Sequence, residues 1–353
     1  MNRQSRFFYF FAALILYVSS ITNCEACTRA LYNGPDNTII TARSMDWTTD
    51  VGTNIWVMPR GVERDGAAGL NAMHWKAKYG SVISTFFEVA TVDGINEKGL
   101  VANLLYLAES RYPALQKNDK RKVMSISAWA QYVLDTFESV NEAVEALSRE
   151  PFVVQEVMTP DGHPGVGHLA ISDKSGDSAI VEYVDGKLVI HHDKQYQVMT
   201  NSPTFDQQLA INAYWQSIGA RAMLPGTSRA ADRFVRASYY VSIAPQTNDL
   251  EKAAVYSFAI IRNASVPYGG SEPNEPNIAA TLWRTVSDQK GMRYYFDSST
   301  SPNVFWLALN DIDFGKLTDC LRLDLGAEVF YAGNAVKALK PTKPFVFLAV
   351  KLP

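Results

Sequence analysis

Metal and nucleotide chemistry find little to use in this chain. Its 353 residues include only three cysteines and five histidines. His74, His163, His168, His191 and His192 show no zinc-type spacing, and no Gly-rich phosphate loop appears. His191-His192 ends a strand-like run and reads as a surface pair. An excess of one charge is missing too: 33 Lys+Arg stand against 36 Asp+Glu. That balance gives no electrostatic case for nucleic acid or for an acidic membrane. A Pro/Ser-rich linker, an internal repeat and a low-complexity tract are all absent, so nothing divides the chain into separate domains. Past residue 26 no apolar run approaches the roughly 20 residues of a spanning helix. The expectation is a protein without cofactor or metal, with a small-molecule partner and no stable membrane insertion.

One apolar run is present, at the start. Arg3 and Arg6 precede the unbroken stretch Phe7–Val18, and Ser19, Ser20 and Thr22 follow. Twelve residues are too few to span a bilayer, so residues 1–26 read as a secretory signal to be removed. Cys24 at −3 and Ala26 at −1 are small enough for a cut before Cys27. Lipidation of Cys24 is the other fate open to this segment. After the cut, a single domain of residues 27–353 would remain, in the periplasm or outside the cell. Loss of Arg3, Arg6 and Glu25 leaves 31 basic and 35 acidic residues, a net charge of −4.

A cut there would give Cys27 a free α-amino group. Such an amine has a pKa of about 7.7–8.0, close to neutrality. It can take the thiol proton and return it to a leaving amine, so Cys27 could serve as nucleophile and base together. Cys24-Glu25-Ala26-Cys27 has redox spacing, but the cut would split it. Cys320 reads as a reduced, buried small hydrophobe.

Pattern supplies the fold expectation. Thr28–Tyr32 and Thr38–Arg43 alternate like strands around the turn residues Asn33-Gly34-Pro35-Asp36-Asn37. That hairpin would carry Arg43 and Asp46 back beside Cys27. Strands are expected at 55–59, 81–85, 87–92 and 100–105, with a turn at Asp93-Gly94. Helices follow at 124–137 and 139–148, the second opened by a Ser139–Glu142 capping box. Strands at 166–172, 178–184, 187–192 and 197–200 precede helices at 205–218, 230–241 and 250–261. Strands at 281–287, 293–298, 303–308 and 345–352 close the chain. Two antiparallel sheets, each covered by helices, satisfy this order: an α+β chain folded as a four-layer α–β–β–α sandwich.

Cys27-Thr28-Arg29-Ala30, Ala42-Arg43-Ser44-Met45-Asp46-Trp47, Asp93-Gly94-Ile95-Asn96-Glu97-Lys98-Gly99-Leu100, Met199-Thr200-Asn201-Ser202-Pro203-Thr204-Phe205-Asp206 and the run from Leu224 to Arg236 occur in that order. Together they resemble the choloylglycine hydrolase (bile salt hydrolase)/penicillin V acylase family, in its shorter exported, Gram-negative type. The resemblance implies an N-terminal-nucleophile hydrolase fold, autocatalytic exposure of Cys27 and hydrolysis of linear amides. It implies roles residue by residue. Cys27 is the nucleophile. Asp46 holds its amine by a charge-assisted hydrogen bond. Arg43 lies at the sulfur, where a fixed positive charge lowers a thiol pKa. The Asn201 side chain and the Tyr106 backbone N–H stabilise the oxyanion. Arg233 supports the nucleophile. Trp47, Phe86, Phe87 and Tyr106 could line an acyl pocket or simply fill the core. The shorter segment between Asn201 and Leu224 leaves a homo-oligomer open.

Conjugated bile salts and penicillin V are the substrates the resemblance implies. An N-acyl homoserine lactone acylase is the alternative within the same chemistry. A secreted binding protein that keeps the fold without catalysis is the alternative outside it.

Overall fold

Turn chemistry at Pro35–Asn37 folds strand Thr28–Gly34 antiparallel onto strand Thr38–Trp47. Asp36 and Asn37 both sit at φ 54°, in the left-handed region that Asx residues tolerate best after glycine. This hairpin belongs to a seven-stranded sheet in a computed structural model of the protein. The structure describes residues 27–351 apart from 117–118, 220–221, 270–278 and 327–328. The expected signal segment, Cys24 within it and Leu352 lie outside the described residues.

Val198–Thr200 pairs on one side of Thr28–Gly34, and Ala280–Asp288 on the far side of Thr38–Trp47. Arg293–Ser298, Val304–Ala308 and Gly333–Asn334 complete that sheet. A nine-stranded antiparallel sheet stacks on it. Its centre is Gly167–Ser172, Val101–Tyr106, Ala90–Asn96 and Ser81–Phe86, in that order. Hydroxyls stitch the two sheets together, Thr41 to Ser172 at 2.7 Å and Ser84 to Tyr294 at 2.7 Å. Tyr294 also donates to the buried Asp93 carboxylate.

Helices cover both outer faces. Helix α1 (Ile126–Thr136) packs on Ala90–Asn96 and Val101–Tyr106, and α2 (Val140–Leu147) on Ser178–Val184. The Ser139 side chain caps α2 by accepting from Glu142 N–H at 3.2 Å, as the capping box predicts. On the other face α3 (Phe205–Ser217) packs on α4 (Ala230–Ser242), while α4 and α5 (Leu250–Asn263) lie on the Thr28–Trp47 hairpin. The layers therefore run helix, sheet, sheet, helix.

Three local expectations are corrected. The strand expected at 87–92 begins only at Ala90, because Phe87 and Glu88 turn the chain at φ 51° and 52°. Asp93-Gly94, expected as a turn, lies inside that strand. Gly94 is there for close packing: a Cβ on it would lie 2.7 Å from Ile83 Cγ2 and 2.9 Å from Leu134 Cδ1 of α1. The final strand expected from Phe345 does not form a ladder. Leu348 N–H donates to Val89 and Val350 N–H to Ala67, two separate partners. Cys320–Leu323 takes the place beside Ile55–Met58 instead.

Candidate active site

Strand register builds the site. Thr28 stands opposite Ser44 on one neighbour and opposite Thr200 on the other. Cys27, one residue earlier, therefore falls between Met45-Asp46 and Asn201. Asp46 stands opposite Thr281 on the next strand. Arg43, on the face turned toward the other sheet, reaches the sulfur from within the sheet interface. Tyr106 comes from that other sheet, at the end of Val101–Tyr106.

Cys27 is buried and its thiol is free, as is that of Cys320. Arg43 Nη2 lies 3.7 Å from Cys27 Sγ, 3.6 Å from Met45 Sδ and 3.3 Å from the Leu104 carbonyl. Its guanidinium stacks over the Trp283 ring at 4.6 Å. The stack fixes a planar cation whose Nε and Nη1 lie buried without a hydrogen-bond partner among the described residues.

The Cys27 nitrogen donates to Asn201 Oδ1, not to Asp46 as expected. In the chain as translated that nitrogen is a peptide N–H with one proton, and Asn201 takes it. Asn201 Nδ2 donates to the Tyr106 carbonyl at 2.8 Å, which leaves the second amide proton available. Arg233 Nη2 donates to the same Asn201 Oδ1 at 3.1 Å, and its Nη1 to the Cys27 carbonyl at 2.8 Å and to Thr28 Oγ1. Arg229 and Arg236, its neighbours in sequence, do other work: Arg229 is the N-cap of α4 and Arg236 holds the Pro225 and Thr227 carbonyls.

Asp46 is fully buried. Thr281 Oγ1 donates to its Oδ1 at 2.5 Å, and Ser44 Oγ to its Oδ2 at 3.4 Å. Arg233 Nη1 lies 3.8 Å from Oδ2. Burial pushes the Asp46 carboxyl up to about 6, and the nearby Arg233 charge offsets only part of this. Burial also pushes the Cys27 thiol up. Arg43 pulls it down, as its position predicts, but desolvation is the larger effect and wins. The expected net lowering of the thiol is thus reversed.

Sequence reasoning missed Gln208, which is buried on α3. Its Nε2 donates to the carbonyls of Asn201 and Pro203, and its Oε1 accepts from Thr200 N–H and Oγ1 at 3.2 Å each. It pins the backbone that carries Asn201. Its place three residues after Phe205, on the same face of α3, was the available signal. Thr281 and Trp283 were also missed, since only strand pairing brings them to Asp46 and Arg43.

An apolar pocket opens at Cys27. Trp47, Phe86 and Tyr106 line it, with Val92, Leu104 and Leu348 among the rest. Trp47 meets Phe86 edge-on at 4.9 Å. Phe87 does not line it: the left-handed turn aims its ring outside, against the edge of Phe86 at 4.7 Å. Of the histidines, His192 ends its strand exposed, whereas His191 is mostly covered. Among the described residues no group of three metal-ligating side chains forms, and no helix is long and apolar enough to cross a membrane.

Residues 27–324 match the family described as linear amide C–N hydrolases, choloylglycine hydrolase family. The chain is 51% identical to penicillin V acylase of Pectobacterium atrosepticum over 345 residues, covering 91% of this chain and 92% of that one. It is 25% identical to a bile salt hydrolase/transferase of Bifidobacterium longum subsp. longum, over 81% of this chain and 96% of that one. Penicillin V acylase from Agrobacterium tumefaciens superimposes with a TM-score of 0.85 at 54% identity, covering 92% of this chain and all of that one. A conjugated bile acid hydrolase variant from Clostridium perfringens shares the fold with a TM-score of 0.73 at 21% identity, over 86% of this chain and 99% of that one.

Proposed function

Since the chain belongs to the choloylglycine hydrolase family of linear amide C–N hydrolases, we propose that Cys27 is its N-terminal nucleophile and that its substrates join a bulky apolar acyl group to a small polar amine. The observation that carries this reading is the sulfur in the wall of an apolar pocket, 3.7 Å from Arg43, with its own nitrogen on Asn201. Removal of residues 1–26 turns that nitrogen into an amine, and the family match begins at Cys27. Export to the periplasm or beyond goes with that removal.

The amine accepts the thiol proton, and sulfur attacks the amide carbon. The carbonyl electrons move to oxygen, where the free Asn201 Nδ2 proton and the Tyr106 backbone N–H stabilise them. The C–N bond breaks as the ammonium protonates the leaving amine. Water then attacks the thioester, releasing a carboxylic acid and restoring the thiol. Arg233 holds the Cys27 carbonyl through this cycle, and Asp46 backs Arg233 at 3.8 Å. A phenoxyacetyl amide such as penicillin V is the leading substrate, in keeping with the 51% identical relative named for it. An N-acyl homoserine lactone is the second reading, favoured by the mostly apolar lining of the pocket.

Wild-type protein and its C27S variant, expressed with the leader and sequenced from the N-terminus, test this. The wild type is expected to begin at Cys27 and to release amine from penicillin V, glycocholate or a long-chain acyl lactone. C27S is expected to lose turnover by at least about a thousandfold. A different mature N-terminus, or an active C27S, overturns the nucleophile assignment. A Cys27 that turns over none of these amides and alkylates no faster than a free thiol identifies a binding protein instead.

A further inference from the structure

A hairpin over the pocket is tied to the opposite wall through one carboxylate. Val157–Met158 and Pro164–Gly165 form a short antiparallel ladder, and the turn between them carries Thr159, Asp161 and His163. Val157, Thr159 and Gly165 face the pocket from this hairpin. Trp47 faces it from the end of the strand that carries Arg43 and Asp46. Asp161 joins the two. Trp47 Nε1 donates to Asp161 Oδ2 at 2.7 Å, and Thr49 Oγ1 reaches the same oxygen at 3.3 Å. The other oxygen, Oδ1, accepts from Thr159 Oγ1 at 2.5 Å within the hairpin. His163 adds its Nδ1 at 3.3 Å from Oδ2 and its ring edge-on to the Trp47 indole at 5.7 Å.

We propose that Asp161 is a specificity-determining positioning residue, holding the Trp47 indole and the Val157–Gly165 hairpin at a fixed separation so that the pocket favours a compact aryl acyl group over a long alkyl chain. The proposal rests on the acyl-amide reading of the pocket. The physical reason is the two-sided grip. A tryptophan has one donor, and a partly buried indole N–H needs an acceptor. A carboxylate can satisfy that donor and still accept from its own hairpin with the second oxygen. The indole is then fixed on three sides, by Asp161, by the edge of Phe86 and by His163. A wall fixed in this way pays little ordering entropy when a rigid ring binds against it. Released from Asp161, the hairpin can move outward and the ring can tilt, which opens the end of the pocket to longer chains.

The test compares D161A and D161N with wild type on two amides sharing one amine, a phenoxyacetyl amide and a decanoyl amide. D161A is expected to lower the ratio of kcat/KM, phenoxyacetyl over decanoyl, by about tenfold, mainly through a higher KM for the phenoxyacetyl amide. D161N keeps an acceptor for the indole and is expected to stay within about threefold of wild type. In a W47F background, which lacks the N–H, D161A should change the ratio little further. Iodoacetamide labelling of Cys27 in D161A should not slow. A folded D161A whose ratio stays within twofold of wild type overturns the proposal. So does an equal fall in turnover of both amides with slower labelling, which marks a general structural role. Calorimetric binding of free phenoxyacetate and decanoate reads the pocket even if the wild type hydrolyses neither amide. In that case the function reading fails, and the acid-binding ratio of D161A to wild type still decides the role of Asp161.

Discussion

Asp46 and Cys27 show how burial and charge compete at single residues. The Asp46 carboxyl is held at about 6 because desolvation outweighs the Arg233 charge and the Thr281 hydroxyl. A carboxylate that must be ionised to hold Arg233 on the Cys27 carbonyl would then lose function as pH falls through about 6. With an amide substrate that does not titrate in this range, the acid limb of kcat/KM is expected near pH 6, and D46N should remove it. A wild-type limb below about pH 4.5 would take Asp46 out of the reacting set. Asn201 makes a separate prediction. N201A removes the proposed oxyanion donor and is expected to lower kcat about 10²–10³-fold. Labelling of Cys27 by iodoacetamide forms no oxyanion and should keep its rate. Equal loss in both assays would mean that Asn201 mainly holds Cys27 in place through its Oδ1.

Elements meet through small residues and caps. Gly94 lets α1 lie close on the strand Ala90–Asn96, since an added Cβ would press on the Val82 carbonyl at 2.7 Å as well as on Ile83 and Leu134. Backbone cannot yield as a flexible side-chain tip can, so G94A is expected to destabilise by about 1–3 kcal/mol, as overpacking does. The Ser139 cap is simpler. S139A leaves the Glu142 N–H without its acceptor and should cost about 1 kcal/mol. Urea unfolding of both variants at pH 7 checks these values, and G94A matching wild type would show that the helix can shift without cost.

Across the whole molecule, Glu182 links the nine-stranded sheet to the helix that carries Gln208. It lies buried on Ser178–Val184, and both its oxygens accept from Phe205 N–H at the start of α3, at 3.1 Å. His168 Nδ1 lies 2.8 Å from Oε1 and His191 Nε2 lies 3.6 Å from Oε2. Burial pushes the Glu182 carboxyl up, but the two histidines and the helix N–H outweigh it and hold the group at about 2. A depressed carboxylate stabilises the fold above its unfolded pKa, near 4.5, and that stability is lost as pH falls through about 2. A shift of this size corresponds to roughly 3 kcal/mol. E182Q is therefore expected to lower unfolding free energy at pH 7 by a few kcal/mol and to flatten the loss of stability between pH 4.5 and 2. Thermal melts at pH 7 and pH 3 decide, and an unchanged slope in E182Q would remove Glu182 from the acid response.

Local pattern by itself determined the five α-helices and most of the long strands, because alternation, turn residues and the Ser139 cap act over a few positions, but it missed Cys320–Leu323 and put a strand at 345–352. It also made Cys27, Arg43, Asp46, Asn201 and Arg233 recognisable, as ordered motifs in the chain. Asp93-Gly94 defeated that reading, since a turn dipeptide in isolation is also what a strand needs where a helix packs against it. The tertiary structure alone decided which partners meet. Thr281 reaches Asp46 from 235 positions away, and Asn201 reaches the Cys27 nitrogen from 174 away. Only strand register could place them there. The thiol's charge state depended on the fold in the same way. Arg43 is three residues from Asp46 in any conformation, but the desolvation that outweighs it exists only once two sheets close over Cys27.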